Sequence, residues 1–71
     1  MAVEVTAPMS GKIIAVLCKV GDQVQCEDEL MVLEALKMEN PIFAPSDGKV
    51  SEIRTSLGAT VESNQVLLII D

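Results

Sequence analysis

The chain has 71 residues, of which 49% are hydrophobic and 23% are charged, as in one small globular domain without room for a separate catalytic lobe. A formal net charge of -6 and a single aromatic residue, Phe43, argue against a surface that binds nucleic acid. Histidine is absent, so the commonest general base and the commonest metal ligand are both missing, and neither a metal site nor a catalytic site is expected.

The first residues contain no basic, apolar leader, and the longest apolar runs, Ile13 to Cys18 and Val66 to Ile70, are too short to span a membrane. We therefore expect a soluble, intracellular protein without membrane insertion. Cys18 and Cys26 cannot complete a zinc site, because the chain has no other cysteine or histidine. We expect two reduced thiols that act as small packing groups, with a disulfide between them as the alternative.

Residues 5–34 read as short β-strands separated by turns, and residues 42–71 repeat this pattern without a gap. Proline and glycine recur too often for helices, and the β-branched residues favour strands. A shift of 37 positions aligns Ala7-Pro8 with Ala44-Pro45, Gly11-Lys12 with Gly48-Lys49, Gly21 with Gly58, Val24 with Val61 and Leu30 with Leu67. The sequence therefore predicts two copies of one β-unit.

The stretch from Gln25 to Asn40 lies in the longest part of the chain without proline or glycine, and it contains good helix formers. Its counterpart in the second unit, Gln65 to Ile70, is rich in β-branched residues and favours a strand. Because the repeat aligns Leu30 to Leu33 with this counterpart, we predict a strand there rather than a helix.

Residues 35–41 join the two units and are predicted to form a hairpin at the edge remote from both chain termini. Lys37 lies in the middle of this hairpin and is the only basic residue between Lys19 and Lys49. It therefore stands as an isolated amine close in sequence to two glutamates. Since the centre of the connection has no Gly, Asn or Asp, some backbone strain is expected.

Two copies of a unit with one apolar face are expected to pack face to face. This arrangement predicts an all-β sandwich or flattened barrel with an approximate internal two-fold axis. Residues 1–71 would then form a single domain.

Glu34-Ala35-Leu36-Lys37-Met38 resembles Glu-Ala-Met-Lys-Met, the biotin-attachment motif of biotin-dependent carboxylases, decarboxylases and transcarboxylases. Flanking segments similar to this family cover almost the whole chain: Val5 to Gly11, Val20 to Val24, Met38 to Asn40 and Ala44 to Val50. Leu36 departs from the motif, which has methionine at this place, but the two side chains are similar in volume. The resemblance implies a flattened barrel of two four-stranded antiparallel sheets, with the modified lysine at an exposed hairpin tip.

The resemblance also implies a carrier that catalyses nothing itself. A biotin-protein ligase would activate biotin as an acyl adenylate and join it to Lys37 by an amide bond. The residues implied in ligase recognition are Glu34, Ala35, Leu36 and Met38. A biotin carboxylase would carboxylate the biotin with ATP and bicarbonate, and a carboxyltransferase would accept the carboxyl group, each helped by the high local concentration that a tether provides.

Two other functions compete with the biotin carrier. A lipoyl carrier domain of a 2-oxo acid dehydrogenase-type complex has a similar fold, symmetry and hairpin lysine. The attachment site of lipoyl domains typically reads Asp-Lys-Ala, whereas this chain has Leu36 and Met38 on either side of Lys37. An unmodified interaction module, in which Lys37 is an ordinary exposed loop lysine, leaves the motif unexplained.

Overall fold

The computed structural model describes residues 2–71, which fold into eight short β-strands. The strands are β1 (Val3–Thr6), β2 (Gly11–Val16), β3 (Gln23–Val24), β4 (Glu29–Ala35), β5 (Met38–Phe43), β6 (Gly48–Ile53), β7 (Thr60–Val61) and β8 (Val66–Ile70). No helix forms in this part of the chain, and hence none that could cross a membrane. The all-β prediction is confirmed.

The segment with the highest helix propensity forms β4, as the repeat predicts. Leu30, Met31 and Leu33 are fully buried in it. The strand is hydrogen-bonded on one side to β2 and on the other to β5. A helix at this place would leave both neighbouring strands without their partner, so tertiary pairing overrides local propensity.

The repeat extends to the pairing of the strands. Val5 pairs with Leu68, and the residues 37 positions away, Ile42 and Met31, pair in the same way. The register irregularity after Val5 in β1 also has its counterpart, at the equivalent place in the β4–β5 pair. The predicted internal two-fold symmetry is therefore present in the hydrogen bonds as well as in the sequence.

Two antiparallel four-stranded sheets form the layers, in the orders β1-β8-β6-β3 and β5-β4-β2-β7. The expectation that one repeat unit packs face to face on the other is wrong in one respect, because each sheet takes two strands from each unit. The connection between the units is the cause. A turn of only two residues joins β4 to β5, so the first strand of the second unit must lie beside the last strand of the first unit.

The core lies between the two sheets and consists of aliphatic side chains from both units. Its largest fully buried members are Ile13, Leu30, Met31, Leu33, Val50, Val61, Leu67, Leu68 and Ile70. No charged or polar residue is buried among residues 2–71. Apolar burial therefore provides the main favourable contribution to the stability of this domain.

The two cysteines are free thiols, as expected, but only one of them acts as a packing group. Cys18 is half-buried against the core, and burial, together with the nearby charge of Asp22, raises the pKa of its thiol. Cys26 is exposed, and its thiol lies 3.6 Å from the carbonyl oxygen of Pro45.

Candidate functional site

The β4–β5 hairpin ends in a turn whose two central residues are Leu36 and Lys37. Both have positive φ angles, 54° for Leu36 and 63° for Lys37. A two-residue hairpin turn with two positive φ angles matches the right-handed twist of the strands that it joins, although it favours Asn and Gly. The backbone strain expected from the sequence is therefore present, and it falls on the lysine itself.

The side chains around the turn divide into exposed and buried ones. Leu36 is 89% exposed and Met38 is 64% exposed, and Lys37 between them is exposed as well. Ala35, which pairs with Met38 across the hairpin, is buried. The tip thus presents one amine between two apolar side chains, and the alanine below it packs into the domain.

The strand after the turn is held by a side chain of its own. The Nδ2 atom of Asn40 donates a hydrogen bond of 3.2 Å to the carbonyl oxygen of Met38. This contact restrains the backbone directly after the turn. The sequence alone does not indicate this role of Asn40, because the contact depends on the direction in which the side chain leaves the strand.

The strand before the turn is supported by the close approach of a neighbour. A β-carbon added to Gly11 in β2 would collide with the carbonyl oxygen of Glu34. Only glycine allows β2 to approach the end of β4 so closely. Gly11 therefore fixes the position of the strand that carries the turn.

Charged side chains form a row across the sheet below the tip. Glu39 in β5 pairs with Glu34 in β4, and Glu34 pairs with Lys12 in β2. All three side chains are exposed. Like charges directly opposite each other on neighbouring strands are destabilising, so the two glutamates do not stabilise the sheet. They place two carboxylates close to the lysine in sequence.

The amine of Lys37 is available for reaction. Within residues 2–71 its Nζ atom makes no hydrogen bond, and the one ion pair of that range joins Arg54 to Glu52. An exposed amine can form an amide with an activated carboxyl group once it has lost its proton. The turn therefore presents an amine that an activated carboxylic acid can reach.

Sequence-predicted site residues are thus brought together at one end of a hairpin. Lys37, Leu36 and Met38 form its exposed tip, and Glu34 lies in the strand below. Ala35 is the exception, since its side chain faces the interior. Lys12 next to Glu34 could not be predicted from the sequence, because only the β2–β4 register brings these residues together.

Comparison with known proteins gives consistent similarities. The Biotin_lipoyl family model, described as biotin-requiring enzyme, matches residues 3–70. The biotin carboxyl carrier protein of Streptococcus mutans is 50% identical over 64 residues, which are 90% of this chain and 49% of that protein. The biotin carboxyl carrier protein of acetyl-CoA carboxylase from Solanum lycopersicum is 43% identical over 58 residues, 82% of this chain and 83% of that protein.

Larger proteins contain a similar domain. The mitochondrial methylcrotonoyl-CoA carboxylase subunit alpha of Mus musculus is 44% identical over 62 residues, 87% of this chain but 9% of the mouse protein. The crystal structure of Kluyveromyces lactis urea carboxylase superposes with a TM-score of 0.93 at 28% identity, over 100% of this chain and 6% of that one. The chain thus spans about half the length of the Streptococcus protein and less than a tenth of the larger proteins.

Proposed function

Because the chain belongs to the Biotin_lipoyl family of biotin-requiring enzymes, we propose that it is a biotin carboxyl carrier module with Lys37 as the residue that receives biotin. The observation that carries this assignment is the exposed amine of Lys37 at the tip of a two-residue turn, within Glu34-Ala35-Leu36-Lys37-Met38. Relatives that are named as biotin carboxyl carrier proteins support it.

The chain's own contribution is presentation. The turn holds the Cα of Lys37 at the end of two paired strands, and the side chain extends into solvent. The amine must lose a proton when it forms the amide, and no buried carboxylate or histidine among residues 2–71 can take that proton. The biotin-protein ligase must therefore supply the base as well as the activated biotin.

Ligase recognition is proposed for the side chains around the lysine. Leu36 and Met38 can contact the ligase directly, since both are largely exposed. Glu34 can contribute a negative charge from the strand below. Ala35 is buried, so its contribution is to allow the turn to pack tightly against the sheet.

Biotin on Lys37 would carry a carboxyl group from a biotin carboxylase to a carboxyltransferase. Both partner activities are proposed to reside in other domains or subunits, as the names of the larger relatives suggest. A tethered carrier visits both sites at high effective concentration, so its intrinsic affinity for each can be weak. The exposed tip, which has few contacts with its own domain, suits such movement.

The test is labelling with a biotin-protein ligase, ATP and biotin, read by streptavidin blot and intact mass. We expect one biotin per chain, and none on Lys37→Arg. The controls Lys12→Arg, Lys19→Arg and Lys49→Arg should be labelled like the parent chain. Persistent labelling of a folded Lys37→Arg variant would refute the assignment.

The same experiment separates biotin from lipoate. The lipoyl alternative is less supported, because the relatives are named as biotin carriers and carboxylase subunits. Incubation with a lipoate-protein ligase and lipoate should leave the mass unchanged. Lipoylation at Lys37 without biotinylation would favour the alternative instead.

A further inference from the structure

A groove of about 380 Å³ lies between the two sheets, where the edge strands β1 and β5 run without pairing to each other. Val5 and Ile42, each only 5% exposed, belong to both the groove and the core. Its other lining residues are Glu4, Thr6 and Pro8 on one side and Pro41, Phe43 and Pro45 on the other. These residues are repeat counterparts, so the groove follows the internal two-fold symmetry.

The two edges of the groove differ in their ability to pair with an added strand. β1 and β5 are both end strands, hydrogen-bonded to a neighbour on one side only. Pro41 lies within β5 and has no backbone N–H to donate. β1 contains no proline, so its free edge can accept the backbone of another extended segment.

The side chains along the groove indicate the chemistry of that segment. Phe43 is 49% exposed, a large apolar surface for the only aromatic residue of the chain. Glu4 and Phe43 both line the groove, and a second hollow of about 380 Å³ is lined by Phe43 and Glu27. An exposed ring that shares these hollows with two carboxylates attracts a lysine or arginine side chain, through the ring face and through charge.

We propose that this groove docks an extended, basic segment of a partner protein, which pairs with the free edge of β1 and places a lysine or arginine against Phe43. The net charge of -6 complements such a segment. The docking surface is separate from the Lys37 tip, so the inference goes beyond attachment of biotin. A carrier held by this groove would keep its lysine exposed.

The test is an NMR titration of the ¹⁵N-labelled chain with a capped heptapeptide of alternating valine and arginine. We expect saturable shift changes at Val3–Thr6 and around Phe43, with little change at the Lys37 turn. Phe43→Leu, which keeps apolar bulk, should weaken binding about two- to fivefold through loss of the ring. The double substitution Glu4→Gln and Glu27→Gln should also weaken peptide binding, and by a larger factor at low salt than at high salt.

Two matched controls make the test specific. Leu57→Ala removes an exposed apolar side chain that does not line the groove, and Glu62→Gln removes an exposed charge that does not line it. Both should bind like the parent chain. A second peptide with glutamate in place of arginine should not bind.

Several outcomes would overturn the proposal. These are the absence of saturable binding, equal binding of the glutamate peptide, unchanged affinity in Phe43→Leu, and shifts confined to surfaces other than β1 and Phe43. Concentration-dependent shifts at β1 without any peptide would identify a second copy of this chain as the occupant, and would equally overturn it.

Discussion

At the scale of single residues, the turn formed by Leu36 and Lys37 stands out because its backbone conformation is unfavourable for its side chains. A left-handed conformation costs a residue other than glycine about 1–2 kcal/mol, and Leu36 and Lys37 adopt it consecutively. Lys37 cannot be exchanged without loss of the amine. Leu36 is 89% exposed and contributes no core packing. The strained backbone at this position is therefore a requirement of the two-residue turn and is not compensated by burial of the side chain.

Leu36→Asn should therefore stabilise the domain by about 1 kcal/mol, because asparagine tolerates positive φ better than leucine. Urea denaturation followed by circular dichroism would measure the change in the free energy of unfolding. Leu57→Asn is the matched control, since Leu57 is 66% exposed and does not have a positive φ. Its effect should stay within about 0.5 kcal/mol. Equal effects of the two substitutions would contradict the strain argument.

The same two exposed side chains are predicted to matter to the ligase. Leu36→Met should preserve or raise kcat/KM for biotinylation, because it restores the family motif at unchanged volume. Met38→Ala should lower it, because an exposed apolar contact next to the lysine is lost. Steady-state ligase kinetics on the three chains would decide. Equal values would mean that the ligase does not contact these side chains.

At the residue scale, the sequence predicted the exposed hairpin position of Lys37 better than it predicted the surroundings of that residue, and attachment of biotin there stays a prediction. The motif and the repeat register both point to Lys37, and its exposed position in the hairpin agrees with that expectation. The burial of Ala35 and the contact between Asn40 and Met38 depend on which strand faces are covered. Such details follow from three-dimensional register, which residue type alone does not determine.

At the scale of elements, the repeat predicts a strand at Leu30 to Leu33 where helix propensity argues against one, and that prediction is confirmed. Strand exchange between the units could not be predicted in the same way. It depends on the length of the connection between β4 and β5, which is a turn of two residues rather than a loop spanning residues 35–41.

The close approach of β2 to β4 gives a prediction with a control provided by the repeat. A β-carbon at Gly11 would collide with the carbonyl oxygen of Glu34, and one at Gly48 would lie 2.8 Å from that of Asp71. Gly11→Ala and Gly48→Ala should each destabilise the fold by about 1–3 kcal/mol. Only Gly11→Ala should also slow biotinylation, because Glu34 is in the strand that leads into the Lys37 turn.

Thermal denaturation and ligase kinetics on the two variants, at a temperature where both are folded, would separate the effects. If Gly48→Ala slowed the ligase as much as Gly11→Ala, general loss of stability would account for both results. The position of β4 would then have no specific role in presenting the lysine.

At the scale of the whole molecule, the internal symmetry relates the two strands of the Lys37 hairpin to the first and last strands of the described chain. β4 and β5 in one sheet correspond to β8 and β1 in the other, and those two strands carry the ends of the described chain. Equivalent pairs of strands therefore form a hairpin in one sheet and, in the other sheet, two separate strands that lie side by side. A turn of two residues distinguishes the hairpin from the two separate strands, while apolar side chains from both units form the core.

Biotinylation should consequently leave global stability almost unchanged. The modification converts one ammonium to a neutral amide, which makes the formal charge one unit more negative than -6, and the lysine has no ion pair to lose. Exposed charges contribute about 0–1 kcal/mol, so the free energy of unfolding should change by no more than that. Denaturant titration of the modified and unmodified chains would measure it, with free biotin added to the unmodified chain as the control. Stabilisation well above 1 kcal/mol would mean that the biotin packs against the domain, because only new buried contacts could supply it, and the picture of a mobile arm would then be wrong.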